Sequence, residues 1–405
     1  MTLADWLLDP PGPDELDASG CYSHKAIVEL EAGLLNTVQT ELETYDGQPA
    51  PVTMNPDDRW VLRSALQKAV RFEMPGHAAW VADQMYTLDR DGLLRRLGVI
   101  AIEDVFAGDL LATAQTLAVL GARDWRRSLG EQRVLRWLAG RLAEAHGDRS
   151  AAELLDSGHS DERVDWMDLD RLDESAMTRL VADPSQPFAL RSAVAQLMAG
   201  PRFAFDKMPV TPTRTPTRLF QLLVEMGCTR WSLYAAARTC SLVRSGMWTQ
   251  VAIADRWLRE GTPSVVPGPE FEKTTIGGGV ISSAIDGHTR PGRIALSRFG
   301  KLPRMVRLID AATPETRKDV ADYGVFYAEG AVLKNRVVWH AESQQVYEWL
   351  RLGPEFIRWR RPELAAELLP TVRAELGELN EIRRQVLEGV ARGADRSARR
   401  EEEVR

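Results

Sequence analysis

Two short stretches bring together residue types that could do chemistry. In DGHTRPGR, Asp286 and His288 flank Gly287, and Thr289 follows. An Asp-x-His-Thr group can act as a general acid/base pair or supply two metal ligands. The same residues also suit a helix start, with Asp and Thr capping and the histidine hydrogen-bonded, or a phosphate contact. His159 and His340 stand alone and no cysteine lies nearby, so capping is the expectation and no metal ligand is assigned. In LLRRLGVIAIEDVFAGD, residues 93–109, two arginines open an apolar run that ends on Glu103 and Asp104. Neighbouring residues on a helix point about 100° apart, so the two carboxylates cannot face one point unless the helix ends there. Their natural partners are Lys68 and Arg71 on the preceding helical segment, or Arg95 and Arg96 one to two turns back. These six residues are expected to form a structural ion-pair cluster that ties helices together and supports assembly, and no catalytic residue is assigned.

A basic run follows the histidine directly. From Arg290 to Arg307 the chain carries Arg290, Arg293, Arg298, Lys301, Arg304 and Arg307 with no acid, although the whole protein has a formal net charge of −7. That asymmetry points to a local anion-binding face in which His288 and these six side chains meet phosphates. Gly287 and Gly292 would let the backbone come close. Six phosphate contacts correspond to a log–log salt slope of about −5. The net charge excludes a protein coated uniformly with bases for nucleic acid, so DNA contact, where it occurs, is confined to one face.

These residues need a scaffold, and its class is readable. At 405 residues the chain is longer than one core usually grows. Apolar residues make up 44% and charged residues 27%, the balance of a globular protein in water. No apolar stretch is long enough to span a bilayer, and MTLADWLLDPPGPDEL has acids where a signal peptide needs bases, so a cytoplasmic location without membrane contact is expected. Cys21, Cys228 and Cys240 are too few and too scattered for a disulfide framework, and reduced thiols are expected. No cofactor is implied.

Period-two alternation is almost absent, and apolar residues at three- and four-residue spacing recur along the chain, so the fold class is all-α. Residues 1–54 read as an N-terminal arm with two proline clusters. From Asn55, NPDDRWVLRSALQKAVRFE has an N-cap, proline at the first helical position and acids in the first turn. It opens a multi-helix bundle over 55–155. Residues 156–217 read as a connecting region. Its first part sets Asp156, Asp161, Glu162, Asp165, Asp168, Asp170, Asp173 and Glu174 against Arg163 and Arg171, a solvated helix or strap. Its second part is the Pro- and Thr-rich run PRFAFDKMPVTPTRTPT. A second helical domain covers 218–390, and 391–405 is a charged tail expected to fray. Trp231, Trp248 and Trp257 stand at helical core spacing. Trp339, Trp349 and Trp359 are ten apart and do not make one stripe on a straight helix.

The run SALQKAVR, an alanine-rich helix AAWVADQM and then LLRRLGVIAIEDV resemble the C-terminal, collar-like helical region of the replication-associated recombination protein A family, which are clamp-loader-like AAA+ ATPases. Ser64 to Arg71 match the first helix of that pattern, and Arg95, Arg96, Leu97, Ile100, Ala101, Glu103, Asp104 and Val105 match the second. The likeness spans roughly residues 62–145. It implies a collar bundle that supports oligomer assembly. The ATPase of that family has no counterpart: only about sixty residues precede the bundle, and no G-x-x-x-x-G-K-[ST] occurs. The nearest decoy, PGPEFEKTTIGGG, puts Glu272 where a phosphate-loop glycine belongs, and a carboxylate there repels phosphate. Nucleotide hydrolysis is therefore not expected.

Together these readings favour a non-catalytic accessory protein of DNA replication, recombination or repair. It would self-assemble into a homo-oligomer through the bundle and meet DNA or replication and recombination proteins through the basic face. The alternatives are an interaction scaffold of a mobile-element or defence system without DNA contact, and a metal-dependent hydrolase using Asp286 and His288.

Overall fold

The computed structural model describes residues 2–47, 59–161, 164–202, 211, 214–270, 274–276, 279–352, 357 and 359–403. The N-cap expected at Asn55, the centre of the Pro- and Thr-rich run, Glu162, Arg163 and Glu272 lie outside the described residues.

Helix α1 (Leu3–Leu8) is followed by α2 (His24–Thr44), which starts where the Ser23 hydroxyl accepts the Ala26 N–H at 3.2 Å. Ala26, Leu30, Leu34, Val38 and Leu42 recur every four residues on α2, and all are buried. Helix α3 (Arg59–Arg71) is different, because it buries two stripes. Val61, Leu62, Ala65, Leu66, Ala69 and Val70 form the apolar one, while Ser64, Gln67, Lys68 and Arg71 form a polar stripe with the i, i+3, i+4, i+7 spacing of one helix face. Burying such groups is costly unless each finds a partner, so this stripe requires a polar neighbourhood inside the fold.

Two segments expected as separate helices are fused in α4 (Pro75–Ile100) across a kink at Asp89, which has φ −156° and ψ 64°. There the Asp89 carboxylate accepts the Gly92 N–H at 3.1 Å and pairs with Arg63, so it caps the second half. Beyond Ile100 the chain widens into a π-helical turn, Ala101–Val105, and stops at Phe106 with φ 40°. Helices α5 (Leu110–Gly121), α6 (Arg123–Ser128), α7 (Glu131–Glu144) and α8 (Ser150–Ser160) complete the first half.

Of the two readings of the acid run, solvated helix or strap, the stretch from Asp165 takes the first: Asp165, Asp168, Asp173 and Glu174 are exposed on or beside short helices. Asp165 caps α9 (Trp166–Asp170), Asp173 caps α10 (Glu174–Ala182), and the Asp170 carboxylate pairs with Arg214 at 3.3 Å. Helices α11 (Phe188–Ala199), α12 (Thr217–Glu225), α13 (Arg230–Arg238) and α14 (Val251–Glu260) follow. The all-α expectation holds for the class, and among the described residues four short strands add to it: β1 (Ser264–Pro267), β2 (Thr275–Ile276), β3 (Val280–Ile281) and β4 (Asn335–Val338). They form two antiparallel pairs, β1 with β4 in the register Val265 to Val337, and β2 with β3. Helices α15 (Arg290–Phe299), α16 (Pro303–Ala311) and α17 (Asp319–Val325) lie between β3 and β4. Last come α18 (Ala341–Leu352), α19 (Leu368–Ala374) and α20 (Leu376–Glu403), whose helical backbone runs through most of the tail expected to fray. The protein is thus mainly helical with minor strands.

Three cores organise these elements, and they interleave along the chain. One joins Leu7, Leu34, Leu117, Trp231, Trp248, Trp257 and Tyr327, so the expected N-terminal arm and parts of both halves share it. A second packs α3, α4 and α7 against Ile281, Ala284 and Ile285 from beyond the connecting region. The third holds α15, α16, α17, α19 and α20 together. Among the described residues no helix is long and apolar enough to cross a membrane.

Candidate functional site: a polar cavity at the Asp-Gly-His-Thr turn

The polar stripe of α3 meets the π turn. Asp104 is fully buried and its carboxylate accepts three charged or amide donors: Gln67 Nε2 at 2.8 Å, Arg71 Nε at 2.6 Å and Arg149 Nη1 at 2.6 Å. Arg71 Nη2 also donates to Glu103 Oε1 at 2.8 Å, and Arg149 Nη1 approaches the same oxygen at 3.3 Å. The widened turn is what lets two adjacent carboxylates share two guanidinium groups, because the regular helix ends there. Arg71 donates further to the Gly330 carbonyl, tying α3 to the turn after α17. Burial opposes ionisation of Glu103, but Arg71, Arg149 and Arg96 outweigh it and hold the carboxyl at about 2.

At the other end of the stripe stands the Asp-Gly-His-Thr turn. Asp286 Oδ2 accepts the Ser64 hydroxyl at 2.6 Å and Lys68 Nζ at 3.3 Å, while Oδ1 accepts the backbone N–H of His288 at 3.0 Å. Thr289 caps α15 by accepting the Gly292 N–H at 3.0 Å, and its hydroxyl donates to the Asp286 carbonyl at 2.9 Å. Gly292 is sterically required, because a Cβ there would lie 1.8 Å from the backbone carbonyl oxygen of Asp286; a Cβ on Gly287 would lie 2.2 Å from Asp322 Oδ1, a side-chain atom that would have to move aside. Capping by Asp286 and Thr289 therefore coexists with an ion pair that the sequence did not indicate.

Between these two clusters lies a cavity of about 400 Å³ whose walls include Trp60, Lys68, Arg96, Glu103, Asp156 and His288. A second cavity of about 340 Å³ shares Lys68, Asp156, Asp286, His288 and Phe326 with it and continues past Asp319, Asp322 and Tyr323. Both volumes fall at the lower end of the ~300–1,000 Å³ usual for small-molecule sites. Comparison with protein-family models, with curated proteins and with solved structures finds no match. The site is therefore argued from its own geometry.

The wall groups fall into two sets. Arg71, Arg149, Glu103, Asp104, Lys68 and Asp286 satisfy one another. Arg96, Asp156 and His288 do not. Arg96 Nη1 makes one hydrogen bond, 3.1 Å to Gln67 Oε1, and no ion pair among the described residues. The carboxylate of Asp156 has no hydrogen-bond or ion-pair partner there, nor has the ring of His288. Burial pushes the Asp156 carboxyl up to about 7, against the pull of Arg149 and with help from Glu103 and Glu153. Burial likewise raises Asp322, and it lowers Lys68 together with neighbouring Arg71.

Several expectations change. Arg95 is exposed and has no ion-pair or hydrogen-bond partner among the described residues, because it points away from the stripe that Arg96 faces. Lys68 pairs with Asp286 and not with the π-turn acids. Lys68, Arg71 and Asp104 are buried inside one chain, so they tie helices internally and offer no surface for assembly. Asp286 and His288 are not a carboxylate–imidazole dyad, since the contact runs to the backbone N–H. Among the described residues no group of three or more His, Cys, Asp or Glu side chains is placed to hold a metal ion.

In the basic run, Arg304 pairs with Glu375 at 2.9 Å and Arg307 with Glu367. Arg290, Arg293, Arg298 and Lys301 are exposed and have no such partner among the described residues. They occupy an arc of about 140° along α15 and its extension, starting two residues from His288. Sequence reasoning missed Arg149, Asp156 and Asp322. Asp156 was one acid among eight in its run, and nothing in the chain sets it apart.

Proposed function

We propose that the protein is an accessory factor of DNA replication, recombination or repair that holds a nucleic-acid backbone along α15. The observation that carries this reading is a group of exposed cations without an ion-pair partner among the described residues, Arg290, Arg293 and Arg298 on α15 and Lys301 in the turn after it, in a protein of net charge −7. Such bases are free to neutralise phosphates, whereas Arg304 and Arg307 must first leave Glu375 and Glu367. The likeness of residues 62–145 to the clamp-loader collar supplies the cellular setting, and no ATPase activity is part of the proposal.

The test is a salt titration of binding to single-stranded and duplex DNA by fluorescence anisotropy. Four contacts correspond to a log–log slope of roughly −3.6 on duplex and −2.8 on single strand. Arg290→Ala with Arg293→Ala should remove roughly half of that slope. Absence of binding at low salt, or an unchanged slope in the double variant, would sink the proposal.

A further inference from the structure

The two joined cavities differ in charge. The first gathers Lys68, Arg71, Arg96 and Arg149 against Glu103, Asp156 and Asp286. The second holds Lys68 with Asp156, Asp286, Asp319, Asp322 and Glu329, the last paired with Arg383, and His288 stands at the junction. Since Lys68, Arg71 and Arg149 already pair with acids, Arg96 is the cation left to meet an anion at the first end, and the other end suits a group rich in N–H donors. Phe326 lines both cavities, Tyr323 lines the acidic one and Trp60 the basic one, so the walls also offer flat aromatic surfaces. Arg96, whose one hydrogen bond goes to Gln67 and which has no ion pair among the described residues, stands in the basic part, and Asp156 and His288, whose side chains have no hydrogen-bond or ion-pair partner among those residues, stand where the two parts meet.

A ligand that matches this pattern has a small anionic head, a flat ring and N–H donors on the ring edge. We infer that the joined cavities bind one nucleotide unit, its phosphate directed to Arg96 and His288 and its base edge to the carboxylates of Asp156 and Asp322. Charge-assisted hydrogen bonds to Arg96 fit phosphate. Carboxylates accept from amino and ring N–H groups of a base, and aromatic walls stack on its face. Guanine, with an amino and a ring N–H side by side, offers one carboxylate two parallel donors. The inference deepens the reading of α15, because His288 lies two residues before the first cation of that face. A strand held on α15 can deliver its terminal or unstacked nucleotide into the cavity mouth.

The experiment uses the full chain and three probes, dGMP, deoxyguanosine and inorganic phosphate, titrated by calorimetry. dGMP should bind with a stoichiometry of one and more tightly than either fragment. Arg96→Ala should weaken dGMP by roughly tenfold, the loss of one charge-assisted contact. Arg96→Lys should weaken it less, and thermal melting of both variants reports that they remain folded. No saturable dGMP binding, phosphate binding as tightly as dGMP, or an unchanged affinity in Arg96→Ala overturns the inference. Competition by dGMP against oligonucleotides with and without a 5′-phosphate separates a free nucleotide from a strand end. The two proposals fail separately. The fourfold variant of Arg290, Arg293, Arg298 and Lys301 to Ala should abolish strand binding and leave dGMP binding intact. Strand binding with no dGMP binding refutes the nucleotide pocket alone.

Discussion

Replacing Asp104 with alanine tests the network at its centre. The carboxylate is fully buried and accepts from Gln67, Arg71 and Arg149, all at 2.8 Å or less. In Asp104→Ala two guanidinium groups must share Glu103, and one amide donor is orphaned. Removing one partner of a buried ion pair costs roughly 3–5 kcal/mol, because the remaining charge stays desolvated. With an unfolding entropy of about 2.1 cal/mol/K per residue, a change of 1 kcal/mol moves Tm by about 1.2 °C in a chain of 405 residues. The expected fall here is roughly 4–6 °C, read by calorimetry with urea unfolding as a second measure. Asp104→Ala with Arg149→Ala should be less than additive by about 1–3 kcal/mol, since the second change removes the charge that the first strands. Glu103 adds a pH signature. Its folded value of about 2 lies below the unfolded 4.5, so its contribution is complete above the unfolded value and is lost as pH falls toward 2. A Tm loss under about 2 °C in Asp104→Ala, or strict additivity in the double variant, would refute the claim that this cluster holds the helices together.

The remaining expectations are direct. Asp156 has a folded value of about 7 against an unfolded 3.8, so its ionisation opposes folding and stability falls as pH rises between those values. Asp156→Asn should therefore raise Tm above pH 7 and have little effect near pH 3, measured by melts across that range; a gain confined to acid pH contradicts the assignment. Gly292→Ala forces a methyl group against the Asp286 carbonyl oxygen and should cost about 2–4 kcal/mol in urea unfolding. A neutral result there means that the turn is built differently. Arg304→Ala and Arg307→Ala should leave the DNA salt slope close to that of the intact protein, because Glu375 and Glu367 already occupy these side chains. A slope shallower by about one per substitution would restore the six-contact interface.

Much of the helical framework was legible because amphipathic spacing is a local property. Trp231, Trp248 and Trp257 are buried as their spacing suggests, and the Thr289 cap was readable from one turn of sequence. The site was less legible for a specific reason. Ser64, Gln67, Lys68 and Arg71 have the spacing of a solvent face, and only their placement against the π turn and Asp286 turns that face inward. The partners are too far apart in sequence for periodicity to report. Ser64 and Asp286 are separated by 222 positions, and Arg304 and Glu375 by 71. The domain division has the same limit. The Pro- and Thr-rich run reads as a linker, yet Leu110 and Trp231 on either side of it share one core and a 2.9 Å hydrogen bond from the indole to the Leu110 carbonyl.

The split between paired and unpaired wall groups separates stability from recognition. A buried ion network is seldom the most stable way to fill an interior, since apolar residues of similar volume do as well or better. What pairing does provide is fixed position: Arg71 and Arg149 are each held by two acids, and Asp286 is held by Ser64, Lys68 and a backbone N–H. Walls fixed in this way keep the space between them open and leave the side chains of Asp156 and His288, and Arg96 beyond its one bond to Gln67, to meet a ligand. Substitutions in the two sets should therefore differ in kind. Changes at Arg71, Asp104 or Arg149 should lower Tm with ligand affinity following the loss of fold. Changes at Arg96 or His288 should lower affinity at nearly constant Tm. If Arg96→Ala melts the protein as severely as Asp104→Ala does, then Arg96 belongs to the structural set and the cavity has lost its main anion-directed group.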